Sequence, residues 1–170
     1  YYKMLDIIIK NFSDTNWLFL ITYLKKDNEV IFEYMLENYK DYLNISDDLF
    51  FNIIYQGNIN YIKLFIKYCK EYVDLDRISE DDYMILFTYN NIKLIDYIHS
   101  LKEIDFSENI NLLKLCVNLN KTDIVRWLFS KFKFSNLHDE DDFCFETAFV
   151  YKNLELIRLL YLHDTKENFD

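Results

Sequence analysis

The chain contains no proline and a single glycine, Gly57. A phosphate-cradling loop needs several glycines, because only a backbone without Cβ lets successive amides close on the anion. Nucleotide sites of both glycine-rich kinds are therefore excluded. Histidine is nearly as scarce. His99, His138 and His163 lie far apart and lack the i, i+4 partner or Cys-x-x-Cys companion that a zinc site requires, so no metal is expected. His99 occupies a position that is apolar in the sister segments described below, which predicts a half-buried, hydrogen-bonded ring. The cysteines, Cys69, Cys116 and Cys144, are odd in number and scattered within apolar patterns. They read as reduced, buried thiols of an intracellular protein, not as a disulfide framework.

Long apolar runs are missing too. None reaches the roughly 18 residues of a membrane span, and no basic-apolar-small leader is present. The expected setting is intracellular, most simply cytoplasmic, with no membrane partner. The first residue is Tyr1, so the sequence reads as a piece of a longer or processed chain. Carboxylates are abundant, but in a chain of net charge −10 their chance pairing does not indicate acid-base catalysis. The charge also opposes binding to phosphate backbones, so no nucleic acid is expected. Neither catalysis nor a cofactor is predicted.

What the chain does have is a period. At Asn28, Asn58, Asn91, Lys121 and Asn153 the same phrase opens: a polar residue, a spacer pair and a dense apolar run, at intervals of 30, 33, 30 and 32 residues. Gly57-Asn58-Ile59-Asn60-Tyr61-Ile62-Lys63-Leu64-Phe65-Ile66 aligns with Asn90 to His99, Asn120 to Phe129 and Lys152 to Tyr161. The apolar positions follow a helical rhythm and predict helices buried on more than one side. Ile62, Ile95, Val125 and Ile157 should be equivalent core positions. A second apolar segment precedes each phrase, at Leu18–Leu24, Leu49–Tyr55, Tyr83–Tyr89, Leu112–Leu119 and Phe143–Tyr151. The two are separated by only two or three residues, which forces a tight antiparallel hairpin. Between units, Leu43-Asn44-Ile45, Val73-Asp74-Leu75, Ile104-Asp105-Phe106 and Phe132-Lys133-Phe134 read as extended connectors. The expected fold is all-α, a solenoid of antiparallel helix pairs with few or no strands. It forms one array over 1–170: a partial repeat at 1–15, then repeats at about 16–46, 47–78, 79–108, 109–140 and 141–170.

The second segments resemble the Gly-His-Leu-Glu-Val-Val-Lys-Leu-Leu-Leu phrase of ankyrin repeats, most closely in Gly57 to Ile66. The first segments are similar to the family's Thr-Pro-Leu-His-x-Ala-Ala phrase, best in Asn111 to Val117 and Phe145 to Phe149, and the connectors resemble its Ala-Asp-Val-Asn finger. The resemblance spans nearly the whole chain. It implies a non-catalytic interaction module that binds a protein through its fingers and first helices. The departures are of one kind: no Thr-Pro helix start, no turn glycine but Gly57, and Ile53-Ile54, Leu86-Phe87 and Cys116-Val117 where the family packs two alanines. Larger contact residues push helix axes toward about 10 Å apart and predict a degenerate array with poorly formed fingers. The shortage of Arg, Ala and Gly beside abundant Lys, Ile, Asn, Tyr and Phe is the bias of an AT-rich genome, as in giant viruses, poxviruses or protists.

One polar feature recurs. Acidic groups precede the first helices at Asp47-Asp48, Glu80-Asp81-Asp82 and Asp139-Glu140-Asp141-Asp142, with Ser107-Glu108-Asn109 a weaker copy. Caps and the helix dipole account for one or two acids at each start. Four in a row exceed that need and suggest a negative edge suited to a basic protein surface. The candidate partner-binding residues are Arg77, Glu80, Asp82, Glu108, Asn109, His138, Asp139 and Asp141. The alternative is a structural or assembly component embedded in a larger complex, for which uncapped ends would argue. Leu156, Leu159, Leu160 and Leu162 spread over more than half of the last helix, so outward positions such as Leu156 or Leu160 are expected to be covered by a further repeat, a partner or a second copy.

Overall fold

The computed structural model describes residues 3, 28–40, 47–134 and 137–167. Among these residues the regular structure is all helical, without a strand. The α-helices are α1 (Glu29–Tyr39), α2 (Asp47–Gln56), α3 (Ile59–Tyr68), α4 (Glu80–Thr88), α5 (Ile92–Leu101), α6 (Ile110–Asn118), α7 (Thr122–Lys131), α8 (Asp139–Val150) and α9 (Leu154–Glu167). The expected helices before Asn28 and the connector Leu43-Asn44-Ile45 lie outside the described residues.

The backbone divides into two compact units, Tyr1–Arg77 and Ile78–Asp170. In the first, α2 pairs with α3, and α3 packs on α1. In the second, α4–α5, α6–α7 and α8–α9 form three hairpins; α6 touches both α4 and α8, while α7 touches both α5 and α9. First helices thus pack on first helices and second on second.

The phrase openers act as helix caps. Asn58 Oδ1 accepts from the amides of Asn60 and Tyr61, Asn91 Oδ1 from Leu94, and Asn153 Oδ1 from Leu156. Each bond satisfies a donor that the helix start would otherwise leave open, worth about 1 kcal/mol. Asn28 and Lys121 stand at the same position without a side-chain cap bond. The residue before each of four openers carries positive φ: Gly57 (78°), Asn90 (55°), Asn120 (53°) and Lys152 (52°). A left-handed residue ends the first helix and turns the chain back. At the last two turns, the amides of Asn120 and Lys121 bond the carbonyls of Val117 and Cys116, and those of Lys152 and Asn153 bond Phe149 and Ala148. This double closure satisfies the last carbonyls of α6 and α8. Glycine suits the position best and asparagine next, so the turn forms even though only one of the four positions holds glycine.

Three, four and seven residues beyond the opener, Tyr61, Ile62 and Phe65, then Leu94, Ile95 and Ile98, then Ile124, Val125 and Leu128 are buried. In α9 the series changes: Leu156 and Leu160 are fully buried, whereas Ile157 is half-exposed. The expectation that Leu156 and Leu160 point outward is therefore wrong. They continue the three and seven positions against α7 and α8, and the outer stripe of α9 is instead Leu154, Ile157 and Tyr161.

One connector also departs from expectation. Residues 70–77 are not simply extended but pass through two 3-10 turns, Lys70–Tyr72 and Leu75–Arg77. Asp74 Oδ1 accepts from the Asp76 amide and closes the bend between them. Ile104-Asp105-Phe106 and Phe132-Lys133-Phe134 have no regular structure, and they bury Phe106 and Phe134 as anchors. All three cysteines are free and buried. Burial pushes the Cys116 thiol up to about 12, which leaves no reactive thiolate near neutrality.

Polar contacts repeat with the same period. Asn60 Nδ2 donates to Glu29 Oε1 across 31 residues, Lys67 Nζ reaches Glu33 at 2.9 Å across 34, and Arg77 reaches Asp48 at 3.2 Å across 29. In the second unit, Trp127 Nε1 donates to Asp96 at 3.1 Å across 31 residues, Arg126 pairs with Glu155 across 29, and the Phe134 amide donates to His163 Nε2 at 3.1 Å across 29. Arg77–Asp48 ties a connector back to the helix pair before it, and each of the others joins one unit to its neighbour in the chain. The exposed ion pairs among them are screened by solvent and add little to stability. Their value is to fix register, since each bond can form in only one alignment.

Candidate functional site: a carboxylate-rimmed groove beside His99

An open groove of about 580 Å³ lies where the last turn of α5 meets the following connector and the end of α7. Its volume falls in the range of ligand pockets. Asp96, His99 and Ser100 contribute from α5, Glu103, Ile104 and Asp105 from the connector, and Lys131 and Phe132 from the end of α7.

The wall behind the groove is aromatic. Tyr83, Phe87, Phe106, Trp127 and Phe132 form a continuous edge-to-face cluster, with Tyr83 and Phe106 at 4.9 Å and Phe106 and Phe132 at 5.3 Å between centroids. Such pairs add about 0.5–1.5 kcal/mol each beyond burial. His99 is built into this cluster, perpendicular to Trp127 at 5.3 Å and to Phe132 at 5.7 Å. Its relative exposure is 9%, and its Nδ1 is buried without a hydrogen-bond partner. This corrects the expectation of a half-buried, satisfied ring. Burial and, secondarily, the Lys131 ammonium hold His99 below the ordinary imidazole range, against the weaker pull of Glu103 and Asp96. The ring is neutral at pH 7.

The rim is ionic. Asp96 Oδ1 accepts from the Trp127 indole and lies 3.3 Å from Lys131 Nζ, and these two bonds hold its carboxyl below the usual range. Lys131 is thereby engaged by Asp96. Asp105 Oδ1 caps the next turn by accepting from the Ser107 amide, a bond that holds its carboxyl below the usual range as well. Glu103 and Asp105 are both exposed, and no cation among the described residues pairs with either.

The residues singled out in the sequence lie elsewhere. Arg77 pairs with Asp48 and covers the ring of Phe51 at 5.0 Å. Asp82 closes a reciprocal cap with Ser79, its carboxylate taking both the Ser79 amide and hydroxyl at 2.8 Å. Glu80 accepts from Asn109 Nδ2, while Asn109 Oδ1 caps α6 through the Leu112 amide. Much of the acidic excess is thus used inside the fold. Glu108 and Asp81 remain exposed and uncommitted. The side chains of Asp139 and Asp141 lie outside the described residues.

His138 bonds Asp142 through Nδ1 and Asp164 through Nε2, the latter at 3.2 Å, and stacks on Phe145 at 5.3 Å. Asp142 carries positive φ, 63°. The Asp142 bond, supported by Asp164, raises the His138 value above the ordinary imidazole range. A raised folded-state value means that the contact stabilises the fold below about pH 6.5 and loses that effect as pH rises through the folded value. In an NMR titration, His138 should therefore titrate above about 6.5 and His99 below it, and Asp142→Asn should lower His138 alone. Coincident midpoints would contradict both environments.

Sequence reasoning missed the groove because its residues come from three segments that only the packing joins. The available signals were the imidazole at an apolar register position and the Phe of each connector. Among the described residues, no helix is long and apolar enough to cross a membrane, and no three His, Cys, Asp or Glu residues are placed to hold a metal. No family model, curated protein or solved structure matches the chain.

Proposed function

We propose that the chain is a protein-protein interaction module: an ankyrin-like solenoid of antiparallel helix pairs, without catalytic activity, that engages a basic protein surface along its first-helix edge. The observation that carries this reading is the division of labour among the acids. Asp48, Glu80, Asp82 and Asp142 are engaged within the fold, whereas Asp81 and Glu108 stand at two successive first-helix starts, exposed and without a partner among the described residues. Fixed carboxylates backed by a net charge of −10 speed the encounter with a cationic surface more than they deepen the bound state.

The test uses a partner cross-linked to the chain in its native source and then purified. Asp81→Asn with Glu108→Gln, extended by neutralising Asp139, Glu140 and Asp141, should leave thermal unfolding nearly unchanged, slow association severalfold and flatten its salt dependence. Unchanged association and salt response would remove the edge from the interface.

A second reading, an assembly component of a larger complex, draws on the outer side of the last hairpin. Leu154 is 80% exposed and Tyr161 60%, with Phe149 and Val150 also exposed. Leu154, Ile157 and Tyr161 recur at helical spacing along α9, and Phe145 and Phe149 along α8. An apolar side of this kind is unusual on a free-standing terminal repeat, which carries polar groups outward.

A further inference from the structure

The groove beside His99 combines three properties. Two exposed carboxylates, Glu103 and Asp105, stand at its rim with no cation paired to them among the described residues, while the lysine that lines the groove is tied to Asp96. Phe132 and the His99 ring supply the aromatic part of the groove's lining. The imidazole lining it is nine-tenths buried with an orphaned nitrogen, a desolvation cost that the closed fold does not recover. An apolar residue in its place, as at the equivalent Ile66 and Phe129 of the sister helices, would avoid that cost.

Complementary chemistry follows from these properties. An anion is opposed by Glu103, Asp105 and Asp96. A metal ion would need converging ligands, and none are placed so among the described residues. A basic side chain meets both demands of the lining: its charge answers the carboxylates, and its alkyl arm and cationic head suit the ring of Phe132. We propose that this groove receives one basic side chain of a partner protein, held by Glu103 and Asp105 at the mouth and by Phe132 and His99 within. The proposal rests on the reading of the chain as an interaction module, and it names a second contact point, on the connector that leads to Glu108.

Protonation of His99 would place a cation at the inner wall, beside Lys131. Facing that ring are Tyr83 from α4, Asp96 from α5, Glu103 from the connector, and Trp127 and Lys131 from α7. Asp96 and Asp105, held below the usual carboxylate range by their hydrogen bonds, keep their charge through the protonation of His99. Occupancy should therefore fall as pH drops below about 6.5, through His99.

The probe is the blocked pentapeptide Ac-Gly-Gly-Arg-Gly-Gly-NH2, titrated into the 170-residue chain while the imidazole signals of His99, His138 and His163 are followed by NMR. Citrulline in place of arginine keeps the shape and removes the charge. The expected result is a saturable shift of His99 that is absent with citrulline. Binding should be at least about tenfold weaker in Glu103→Gln/Asp105→Asn, stronger in Lys131→Met, and weaker at about pH 5.5 than at about pH 7.5. Both rim substitutions are isosteric, and the side-chain carbonyl left by Asp105→Asn would still accept from the Ser107 amide, so folding is retained. No saturable His99 shift, an equal shift with citrulline, or indifference to the rim variants would overturn the proposal. A partner whose capture depends on Asp81 and Glu108 but not on the rim would overturn the groove alone and leave the module reading standing.

Discussion

Ile95→Ala should cost about 2–5 kcal/mol, and Ile157→Ala well under half of that, although the two residues occupy the same step of their helices. Ile95 is fully buried in α5, between the α4 side of its own hairpin and α7 of the next. Truncation there leaves a cavity in a part of the core with no access to solvent. Ile157 is half-exposed, so the same change removes contacts from one side and opens no closed cavity. Urea unfolding gives the comparison, provided the slopes of both variants match the parent. Equal losses at the two positions would mean that the register does not translate into equivalent layers with one open side.

Leu160→Lys should unfold the last hairpin, whereas Leu154→Lys should change stability by no more than about 0.5 kcal/mol. Leu160 has no exposed surface and is placed by α9 against α7 and α8. An ammonium there must be desolvated or must break the packing. Leu154 sits at the exposed start of α9. Circular dichroism on heating separates the two outcomes. Sedimentation adds a second: if the outer side of this hairpin is covered by a second copy, Leu154→Lys/Tyr161→Lys should shift a dimer to monomer without loss of helix. A folded Leu160→Lys variant would contradict the burial assigned to α9.

The helices are legible in the sequence because they rest on local rules. Asn58, Asn91 and Asn153 announce caps, and the left-handed step at Gly57, Asn90, Asn120 and Lys152 follows from the short turn that must reverse the chain. The choice of outer stripe on α9 is not legible. Leu156 and Leu154 are equally apolar, and only the packing of α9 on α7 decides between them. The 3-10 path of residues 70–77 escapes sequence reading for a related reason: Val73-Asp74-Leu75 alternates like a strand, but Asp74 bends the backbone through its own side chain. Charge reads less well than apolar pattern. Glu80 and Asn109, both candidates for a partner, are 29 residues apart and bond one another instead. A carboxylate in a repeat protein has a neighbour one period away, and composition does not reveal whether that neighbour claims it.

One hairpin unit recurs through the described residues with the same left-handed turn. Backbone chemical shifts and amide-to-Cα couplings measured on the whole chain test it directly, because they report the sign of φ residue by residue. The account predicts left-handed residues at 57, 90, 120 and 152, spaced 33, 30 and 32 residues apart, each flanked by helix on both sides. Uninterrupted helix through Asn90 and Asn120, or extended backbone in place of α5 and α7, would contradict it.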